Sequence, residues 1–554
     1  DQEGGSIRRI YEGVSRVPGH MAIGAASFNR PTVSYEIGKI LGEELKDLGI
    51  NLNLAPVADV NNNPYNPVIG IRSFSDDPLL VSKLASDFAR GLQNEGVLAS
   101  YKHFLGHGDV TIDSHLDLPH VTLSLESLYN TELIPYRGNY ISDAIMPAHI
   151  LYDKIDNRFP ASISKRIIKE LLRDELGYKG LVISDCYEMD ALQRAFALSE
   201  AAVFSVNASI DIIMVSHSFG KQLSVRKALI DGVKSGEIKK ELIETSLKRI
   251  LKAKEKYTKE TDKEVDYKQN QKIAEECSLD SITINNGTLF DIDNNTIVIG
   301  VTNYLNSTAE DANVENMDVA KTLGSYYNIP YYSIDNKNFN VNSIAKMAKN
   351  KKIILALADS HLTLVQKVLY SNLIQNNNRI MLISLRTPYD IIGLDEPESH
   401  IVLYEYTKLS VQSLIKVLNG APAKGKLPVK TKTNDSNKLN LPTNNLLIKK
   451  VVGYLNEHYA KYISLQLVAD EFKISSAHLS RIFKREMGIT FINYLNQIRV
   501  ERAKVLLTTT TLYVYEIGNL CGFSDENYFT KLFKQKVGTT PISYRSQFGY
   551  YDQN

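Results

Sequence analysis

The stretch "VLASYKHFLGHGDVTIDSH", residues 97–115, joins a short, mostly apolar run to a loop rich in glycine, histidine and aspartate. Similar apolar runs lie on both sides of it within the first 255 residues, and helical patterns such as the one at 79–96 separate them. These runs are "INLNLAPVAD" (50–59), "DAIMPAH" (143–149), "GLVISD" (180–185) and "IDIIMV" (210–215). Buried strands that alternate with helices predict a parallel sheet, either doubly wound or closed into a barrel.

Polar residues end several of these predicted strands, and their position favours the barrel. They are Asp59, Lys102, His103, His149 and Asp185. In a TIM-type (β/α)8 barrel the carboxyl ends of the strands form one face, where catalytic residues gather. We therefore predict that residues 1–255 form a barrel of this type, with its chemistry at these strand ends.

Beyond residue 255 the composition divides the chain further. A charged segment, predicted to be helical, precedes a second α/β pattern with the apolar runs "NTIVIGV", "KIILALAD", "RIMLISL" and "HIVLYEY", which predicts a smaller α/β sandwich domain. A polar, proline-containing stretch then has the composition of a linker. The predicted boundaries are 256–285 for the helical connector, 286–429 for the sandwich domain, 430–443 for the linker and 444–549 for an all-α domain.

The all-α domain contains an internal repeat. "SRIFKREMGIT" (480–490) and "TKLFKQKVGTT" (530–540) share phenylalanine, lysine and glycine at a spacing of 50 residues. Together with the segments before them, they predict a helix, a tight turn and a second helix, formed twice and joined by a helix at 491–507. From Asn444 onward 14 lysines and arginines stand against 9 acidic residues, a net charge of +5, whereas the remainder carries −4. This distribution indicates a nucleic-acid partner for the all-α domain only.

The bulk composition is that of an ordinary globular protein. Of the 554 residues, 43% are hydrophobic and 23% are charged, and no run of 18 apolar residues predicts a membrane span. Cys186, Cys277 and Cys521 lie far apart in the sequence. This spacing argues against a disulfide framework and is compatible with a cytoplasmic location.

The loop at 102–115 permits three interpretations. His103 and His107 are four residues apart, as in a helical metal-binding pair, but the glycines that flank His107 oppose a helix and no cysteine is near. A polar loop with satisfied histidines is the second interpretation. The third is an acid–base site, because an aspartate in the position of Asp113 can fix the tautomer of His115 and stabilise its protonated form.

The stretch "KHFLGHGDVTIDSH" resembles the signature of the β-N-acetylglucosaminidases of glycoside hydrolase family 3. The resemblance extends through "DQEGG", "LAPVADVNNNPYNPVIGIRSFS", "MPAH", "PASISKRIIKELLRDELGYKG" and "VISDCYEMDAL", over roughly residues 1–430. It implies hydrolysis of a terminal β-linked N-acetylglucosamine, such as that of a cell-wall muropeptide, with retention of configuration through a covalent glycosyl-enzyme. Because "DQEGG" normally follows a strand in this family, the resemblance also implies a barrel without its first elements.

The same resemblance assigns roles to individual residues. Asp185 would be the nucleophile, His115 the general acid/base and Asp113 its partner. The positions that match sugar-binding residues of the family are Asp1, Arg9, Arg72, Lys102 and His103. The resemblance implies no metal and no other cofactor. Leu105 stands where the family usually has proline and Ser6 where it often has arginine, and neither is a catalytic position.

Residues 444–549 resemble the DNA-binding domain of the AraC family of transcription regulators, on "SLQLVADEFKISSAHLSRIFKREMG" and "EIGNLCGFSDENYFTKLFKQKVGTTPISYR". Two helix–turn–helix units can enter successive major grooves of a double-stranded DNA operator, about 34 Å apart. Their second helices are expected near 476–486 and 525–536. The residues expected at base edges are Ala477, Arg481, Asn527 and Lys531, and those expected at phosphates are Lys484, Arg485 and Lys534. A homodimer is a further expectation.

The two modules leave three hypotheses for the whole chain. In the first, the barrel is an active N-acetylglucosaminidase whose turnover tunes transcription. In the second, it is catalytically silent and reports a bound sugar to the DNA-binding domain. In the third, it transfers the sugar to phosphate instead of water, because a histidine repels an incoming phosphate less than a carboxylate does. The complete set of Asp185, Asp113 and His115 favours an active enzyme.

Overall fold

The structure is a computed structural model of the chain, and it describes residues 1–110, 118–138, 141–260, 263–302, 317–335, 339–376, 378–431, 445–487, 489–509 and 512–548. It contains a parallel sheet with its helices, a mixed sheet with its helices, and an all-helical region. No helix in these ranges is long and apolar enough to cross a membrane.

The apolar runs of the first 255 residues all form strands. The strands of this region are β1 (Leu52–Asn53), β2 (Leu98–Phe104), β3 (His120–Val121), β4 (Ala144–Pro147), β5 (Leu151–Tyr152), β6 (Leu181–Cys186) and β7 (Ile212–Met214). Within the described residues β1, β2, β4, β6 and β7 form one parallel sheet in that order, and β3 pairs with β5 beside it. The sheet curls into half a barrel, which confirms the predicted barrel-type fold of this region.

Helices cover this sheet so closely that every residue of β2 is buried. They are α1 (His20–Ala26), α2 (Val33–Asp47), α3 (Pro78–Asn94), α4 (Leu125–Tyr129), α5 (Asp190–Ala195), α6 (Leu198–Asn207), α7 (Phe219–Ser235), α8 (Lys240–Tyr257) and α9 (Tyr267–Ser281), with a π-helical segment at Arg166–Glu175. Gly38 lets α2 approach α3, because a Cβ there would lie 2.2 Å from the carbonyl oxygen of Phe88. The two backbones therefore touch, which brings α3 and the following β2 close to the core.

The second region is a sandwich of helices on a mixed sheet. Its strands are β8 (Thr283–Gly287), β9 (Thr296–Thr302), β10 (Tyr331–Asp335), β11 (Lys352–Leu357), β12 (Arg379–Ser384) and β13 (Ser399–Val402), and its helices are α10 (Val319–Tyr327), α11 (Val341–Met347), α12 (Leu364–Gln375) and α13 (Lys408–Leu418). The described strands follow the order β10-β9-β11-β12-β13-β8, all parallel except β8. The predicted helical connector at 256–285 is wrong at its end, since α9 stops at Ser281 and β8 completes the sheet edge.

Contacts at the start of the chain join this sandwich region to the half-barrel. The backbone N–H of Gly19 donates to Oε2 of Glu405 at 2.8 Å, and Nε2 of His361 lies 2.8 Å from the carbonyl oxygen of Pro64. Burial raises the pKa of Glu405 to about 7. The sandwich region is therefore packed against the segment that precedes α1 and the loop that follows β1, close to the face that carries the candidate active site.

The third region is all-helical and shows the predicted repeat. Its helices are α14 (Leu446–His458), α15 (Leu465–Glu471), α16 (Ser476–Met487), α17 (Phe491–Thr509), α18 (Val514–Leu520), α19 (Glu526–Val537) and α20 (Pro541–Phe548). The pairs α15–α16 and α18–α19 form two helix–turn–helix units, and α17 joins them, as predicted. Phe483 of α16 and Phe533 of α19 are fully buried, each in its own apolar core. The shared phenylalanine of the repeat is thus a packing residue in both copies.

Candidate active site and nucleic-acid interface

An ion-pair network lies at the carboxyl end of β2. The ammonium Nζ of Lys102 is 2.7 Å from Oδ1 of Asp1 and 2.7 Å from Oε1 of Glu3. The guanidinium of Arg72 donates two hydrogen bonds to the Glu3 carboxylate, from Nη2 at 2.8 Å and from Nε at 3.1 Å. Two cations and two carboxylates thus form a continuous network, with three of its four members buried.

The opposite charges of this network stabilise each other's ionised forms although the side chains are buried. Burial by itself would raise the pKa of Glu3, but the charges of Arg72 and Lys102 outweigh it and hold that pKa well below its usual value. Burial lowers the pKa of Lys102, and the negative charge of Glu3 opposes this change. Burial would also lower the pKa of Arg72, but the attraction of Glu3 outweighs it and raises that pKa. The network therefore offers a fixed array of charged donors and acceptors, which suits the hydroxyl and amide groups of a sugar.

Asp59, at the end of the run that contains β1, holds the start of the loop. Its Oδ2 accepts from Nδ1 of His103 at 2.7 Å, and its Oδ1 accepts from the backbone N–H groups of His103 at 3.1 Å and His107 at 2.7 Å. Burial would raise the pKa of Asp59, but the charge and hydrogen bond of His103 lower it. Asp59 therefore stays ionised and sets the orientation of the His103 ring.

The loop after β2 packs against the segment that follows Asp59. The side-chain amide of Asn66 donates to the carbonyl oxygens of His107 at 2.7 Å and Gly108 at 3.0 Å. A Cβ at Gly108 would lie 1.6 Å from the carbonyl oxygen of Val60, so no larger residue fits there without a backbone shift. Burial, together with the charge of His103, lowers the pKa of His107 to about 4, so His107 is neutral at neutral pH. These contacts hold the loop in place from His107 to Gly108.

Asp185 is the penultimate residue of β6 and lies at the same face. Its side chain is partly buried, and the backbone N–H of Cys186 donates to its Oδ1 at 2.7 Å. The negative charge of Asp185 contributes to the raised pKa of Arg72 and opposes the lowering of the pKa of Lys102 by burial, so Asp185 interacts electrostatically with the network. A carboxylate at this strand end is a group that can attack an anomeric carbon as a nucleophile.

His149, at the end of the run that contains β4, supports the same strand end. Its Nε2 lies 3.0 Å from the carbonyl oxygen of Cys186 and its Nδ1 lies 2.7 Å from Oγ of Ser162. A carbonyl oxygen can only accept, so Nε2 carries the proton and Nδ1 accepts from the hydroxyl. His149 is 1% exposed, so it positions the backbone beside Asp185 rather than reaching a ligand.

The structure brings most of the predicted site residues together. Asp1, Arg72, Lys102, His103 and Asp185 share the carboxyl face of the sheet, and the exposed Arg9 lies 3.9 Å from Asp1 between its Nη2 and Oδ2. The predicted acid/base His115 and its partner Asp113 lie outside the described residues. The site list from sequence omitted Glu3 and Asp59. Both could have been identified from the sequence, because Asp59 ends a predicted strand and Glu3 lies in the "DQEGG" stretch that resembles the family.

The predicted nucleic-acid residues lie on the outer faces of α16 and α19. All of them are exposed: Ala477, Arg481, Lys484, Arg485, Asn527, Lys531 and Lys534. Arg485 donates to Oε1 of Glu486 at 3.0 and 2.7 Å from its Nε and Nη2. The remaining basic side chains have no such carboxylate contact among the bonds seen in the described residues, and they are available to a polyanion.

Comparison with known proteins identifies both modules. Residues 1–253 match the family model described as the glycosyl hydrolase family 3 N terminal domain, and residues 468–547 match a helix-turn-helix domain. The chain is similar to beta-hexosaminidase A of Pseudoalteromonas piscicida, with 34% identity over 46% of this chain and 46% of that protein. It is also similar to a beta-hexosaminidase of Tolumonas auensis, with 35% identity over 42% of this chain and 69% of that protein.

A solved structure extends the likeness beyond the half-barrel. The glycoside hydrolase family 3 beta-N-acetylglucosaminidase from Paenibacillus sp. str. FPU-7 matches with a TM-score of 0.71 and 33% identity, over 78% of this chain and 86% of that chain. The chain spans about half the length of the Pseudoalteromonas relative. The described fold, the strand-end residues and these similarities agree, and the chain belongs to glycoside hydrolase family 3, with an AraC-type helix–turn–helix domain in its C-terminal part.

Proposed function

We propose that the chain is a retaining exo-β-N-acetylglucosaminidase fused to a sequence-specific, DNA-binding transcription regulator. The observation that carries the proposal is the carboxylate of Asp185 near the end of β6, at the same face as the network of Glu3, Arg72 and Lys102. A pure sugar sensor needs the network for binding but has no use for a nucleophile. The presence of both groups on one face favours turnover over binding alone.

The proposed reaction has two displacements. In the first, a carboxylate oxygen of Asp185 attacks the anomeric carbon, the glycosidic bond breaks, and His115 gives a proton to the departing oxygen. In the second, His115 takes a proton from water, the water oxygen attacks the anomeric carbon, and the bond to Asp185 breaks. Asp113 would stabilise the imidazolium that the proton cycle needs. Configuration at the anomeric carbon is inverted twice and so retained.

The binding residues have separate parts in this proposal. The network of Asp1, Arg72 and Lys102 would hydrogen-bond the sugar hydroxyls, and His103, held by Asp59, would present its second ring nitrogen to the sugar. The substrate class is a terminal β-linked N-acetylglucosamine, and a cell-wall muropeptide is the proposed natural source. A cytoplasmic location and a homodimer on an operator complete the proposal, because operator DNA is cytoplasmic and two-fold operators match two-fold proteins.

Turnover of an aryl β-N-acetylglucosaminide by the full chain tests the enzymatic part. Asp185→Asn should lower kcat by at least about 1,000-fold, because the neutral amide cannot form the ester intermediate. Asp190→Asn is a matched control, since that aspartate lies on the next helix in an exposed pair with Arg194. Mass spectrometry of the quenched reaction should detect a glycosyl adduct on the unchanged chain.

Three outcomes separate the competing hypotheses. No turnover, combined with DNA binding that responds to N-acetylglucosamine, would replace the enzyme with a silent sensor. Formation of a sugar 1-phosphate in phosphate buffer, faster than hydrolysis, would replace the hydrolase with a phosphorylase. Failure to bind any double-stranded DNA at low salt would refute the regulator part, because electrostatic attraction is strongest there.

A further inference from the structure

A second group of polar side chains lies directly beside Asp185. The thiol of Cys186, the carboxylate of Glu188 and the imidazole of His217 each offer one ligand atom, and these atoms all lie within 4.8 Å of one another. Cys186 is the last residue of β6, whereas His217 follows β7, the neighbouring strand. The pairing shifts register between Ile183 and Cys186, which sets Cys186 opposite Met214 and close to the end of β7. The group is therefore built from two adjacent strand ends.

The carboxylate of Glu188 already ties the two strand ends together. Its Oε2 accepts from the backbone N–H of Ser218 at 3.2 Å and from that of His217. These two hydrogen bonds hold the carboxylate of Glu188 against the segment that follows β7. Two of the three ligand residues are thus fixed relative to each other before any ion binds, which reduces the entropy lost on binding.

We propose that Cys186, Glu188 and His217 form a binding site for a thiophilic divalent cation of the Zn²⁺ class. Thiolate, carboxylate and imidazole are the three ligand types that Zn²⁺ takes in proteins, and three protein ligands leave a fourth position for water. Zinc–ligand bonds of about 2.1–2.3 Å in a tetrahedron separate the ligand atoms by about 3.6 Å. Because the ligand atoms lie within 4.8 Å of one another, the group needs a contraction of at most about 1.2 Å, which the exposed side chain of His217 can supply.

Binding of the cation releases one proton and forms bonds to three protein ligands. The cation displaces one proton from the Cys186 thiol, forms a bond to the sulfur, and accepts lone pairs from Glu188 and the neutral His217. Lys221 lies 3.4 Å from Oε1 of Glu188 and 2.7 Å from Oε1 of Gln193. The cation would therefore replace Lys221 as the partner of Glu188, while Lys221 keeps its bond to Gln193.

The site bears on catalysis through the backbone of Cys186. The N–H of the proposed ligand Cys186 is the donor that holds the nucleophilic carboxylate of Asp185 at 2.7 Å. A cation on the neighbouring sulfur attracts the negative charge of Asp185 and fixes the peptide that positions it, so the nucleophile becomes weaker. The bound cation should inhibit glycoside hydrolysis, and this part of the inference rests on the proposed enzymatic function.

Metal binding is tested with Co²⁺ and Zn²⁺ on the full chain, independently of turnover. Co²⁺ should produce a thiolate-to-metal absorption band, and Zn²⁺ should bind once per chain by calorimetry. Cys277 and Cys521 are fully buried, so the band reports Cys186. Cys186→Ser should abolish the band, and both Cys186→Ser and His217→Ala should weaken Zn²⁺ binding at least tenfold. The matched control is a change of another exposed histidine, His478→Ala, which should bind as the unchanged chain does.

The absence of a thiolate band in the unchanged chain would overturn the site, as would equal Zn²⁺ affinity in the two ligand variants and the unchanged chain. Unfolding midpoints measured without metal check that the variants are folded. If Cys186→Ser does not fold, His217→Ala still tests the site, because it removes only an exposed side chain.

Inhibition of the aryl-glycoside assay tests the catalytic consequence. The Zn²⁺ concentration that halves the rate should rise at least tenfold in His217→Ala relative to the unchanged chain. Equal sensitivity of the two proteins would overturn the inhibitory role. A wholly inactive unchanged chain would count against the proposed enzyme, and the Co²⁺ band would still decide the metal site.

Discussion

The change Glu3→Gln tests whether the buried network holds the half-barrel together as well as serving the site. Glu3 is 2% exposed and accepts from both Arg72 and Lys102. Glutamine has the same size but no charge, and its amide group can accept through only one oxygen. Arg72 would keep a hydrogen bond to the single amide oxygen of the glutamine and its 3.5 Å contact with the carbonyl oxygen of Val68. The substitution therefore leaves a buried guanidinium without its counter-charge.

The expected loss of stability follows from the burial of the partners. Removing one member of a buried ion pair costs about 3–5 kcal/mol, and the preserved shape of glutamine favours the lower part of this range, about 3–4 kcal/mol. With a urea dependence of about 3 kcal/mol/M, typical of the larger single domains, the midpoint of half-barrel unfolding should fall by about 1 M. The chain contains no tryptophan and 31 tyrosines, so circular dichroism and tyrosine fluorescence are the signals to follow.

The matched control is Asp231→Asn, which neutralises one carboxylate of an exposed pair with Lys227 on α7. Exposed pairs contribute about 0–1 kcal/mol, so this midpoint should move by less than about 0.3 M. A midpoint for Glu3→Gln within that same margin would refute the argument that the network stabilises the fold. The pKa of Glu3 is depressed, so its contribution is complete above the ordinary glutamate value of 4.5 and is lost as pH falls towards the folded-state value. The difference between the two proteins should therefore shrink below pH 4.5.

Three further changes test other parts of the structure. Gly108→Ala would put a Cβ 1.6 Å from the carbonyl oxygen of Val60, so the loop must shift and aryl-glycoside turnover should fall about 100-fold. Gly220→Ala meets nothing within 4 Å and should leave the rate unchanged, and equal rates for the two variants would contradict the packing argument. Glu405→Gln removes a carboxyl group whose folded-state pKa of about 7 lies above its ordinary value of 4.5. Protonation of Glu405 therefore stabilises the native state at low pH, and this stabilisation is lost as pH rises through 7. The variant should match the unchanged chain below pH 4.5 and exceed it by about 3 kcal/mol above pH 7 in urea titrations, and a constant difference would contradict this. Lys484→Ala should reduce the slope of log affinity against log salt by about 0.9, measured on any bound duplex, and an unchanged slope would remove this lysine from the phosphate contacts.

Among the parts of the fold that the sequence did not predict are the edges of the mixed sheet. β8 and β10 are its two outer strands, and "TINNG" and "YYSID" contain no apolar run. An edge strand has a neighbour on one side only and keeps part of its surface in water, so its composition resembles that of a loop. The inner strands are buried along most of their length and each contains an apolar run, which is why all of them were predicted.

The sequence by itself determined the parallel order of strands and helices, the face on which polar residues gather, and the two helix–turn–helix units. These features follow from hydrophobic periodicity and from a repeat at a spacing of about 50 residues, and both are visible in the sequence itself. Only the tertiary structure decided which side chains meet. Glu3 binds Arg72 across 69 residues, Asp59 holds His103 across 44, and Cys186 meets His217 from the neighbouring strand. Such pairs follow from which strands are adjacent and how their registers align, and no local pattern encodes that distance.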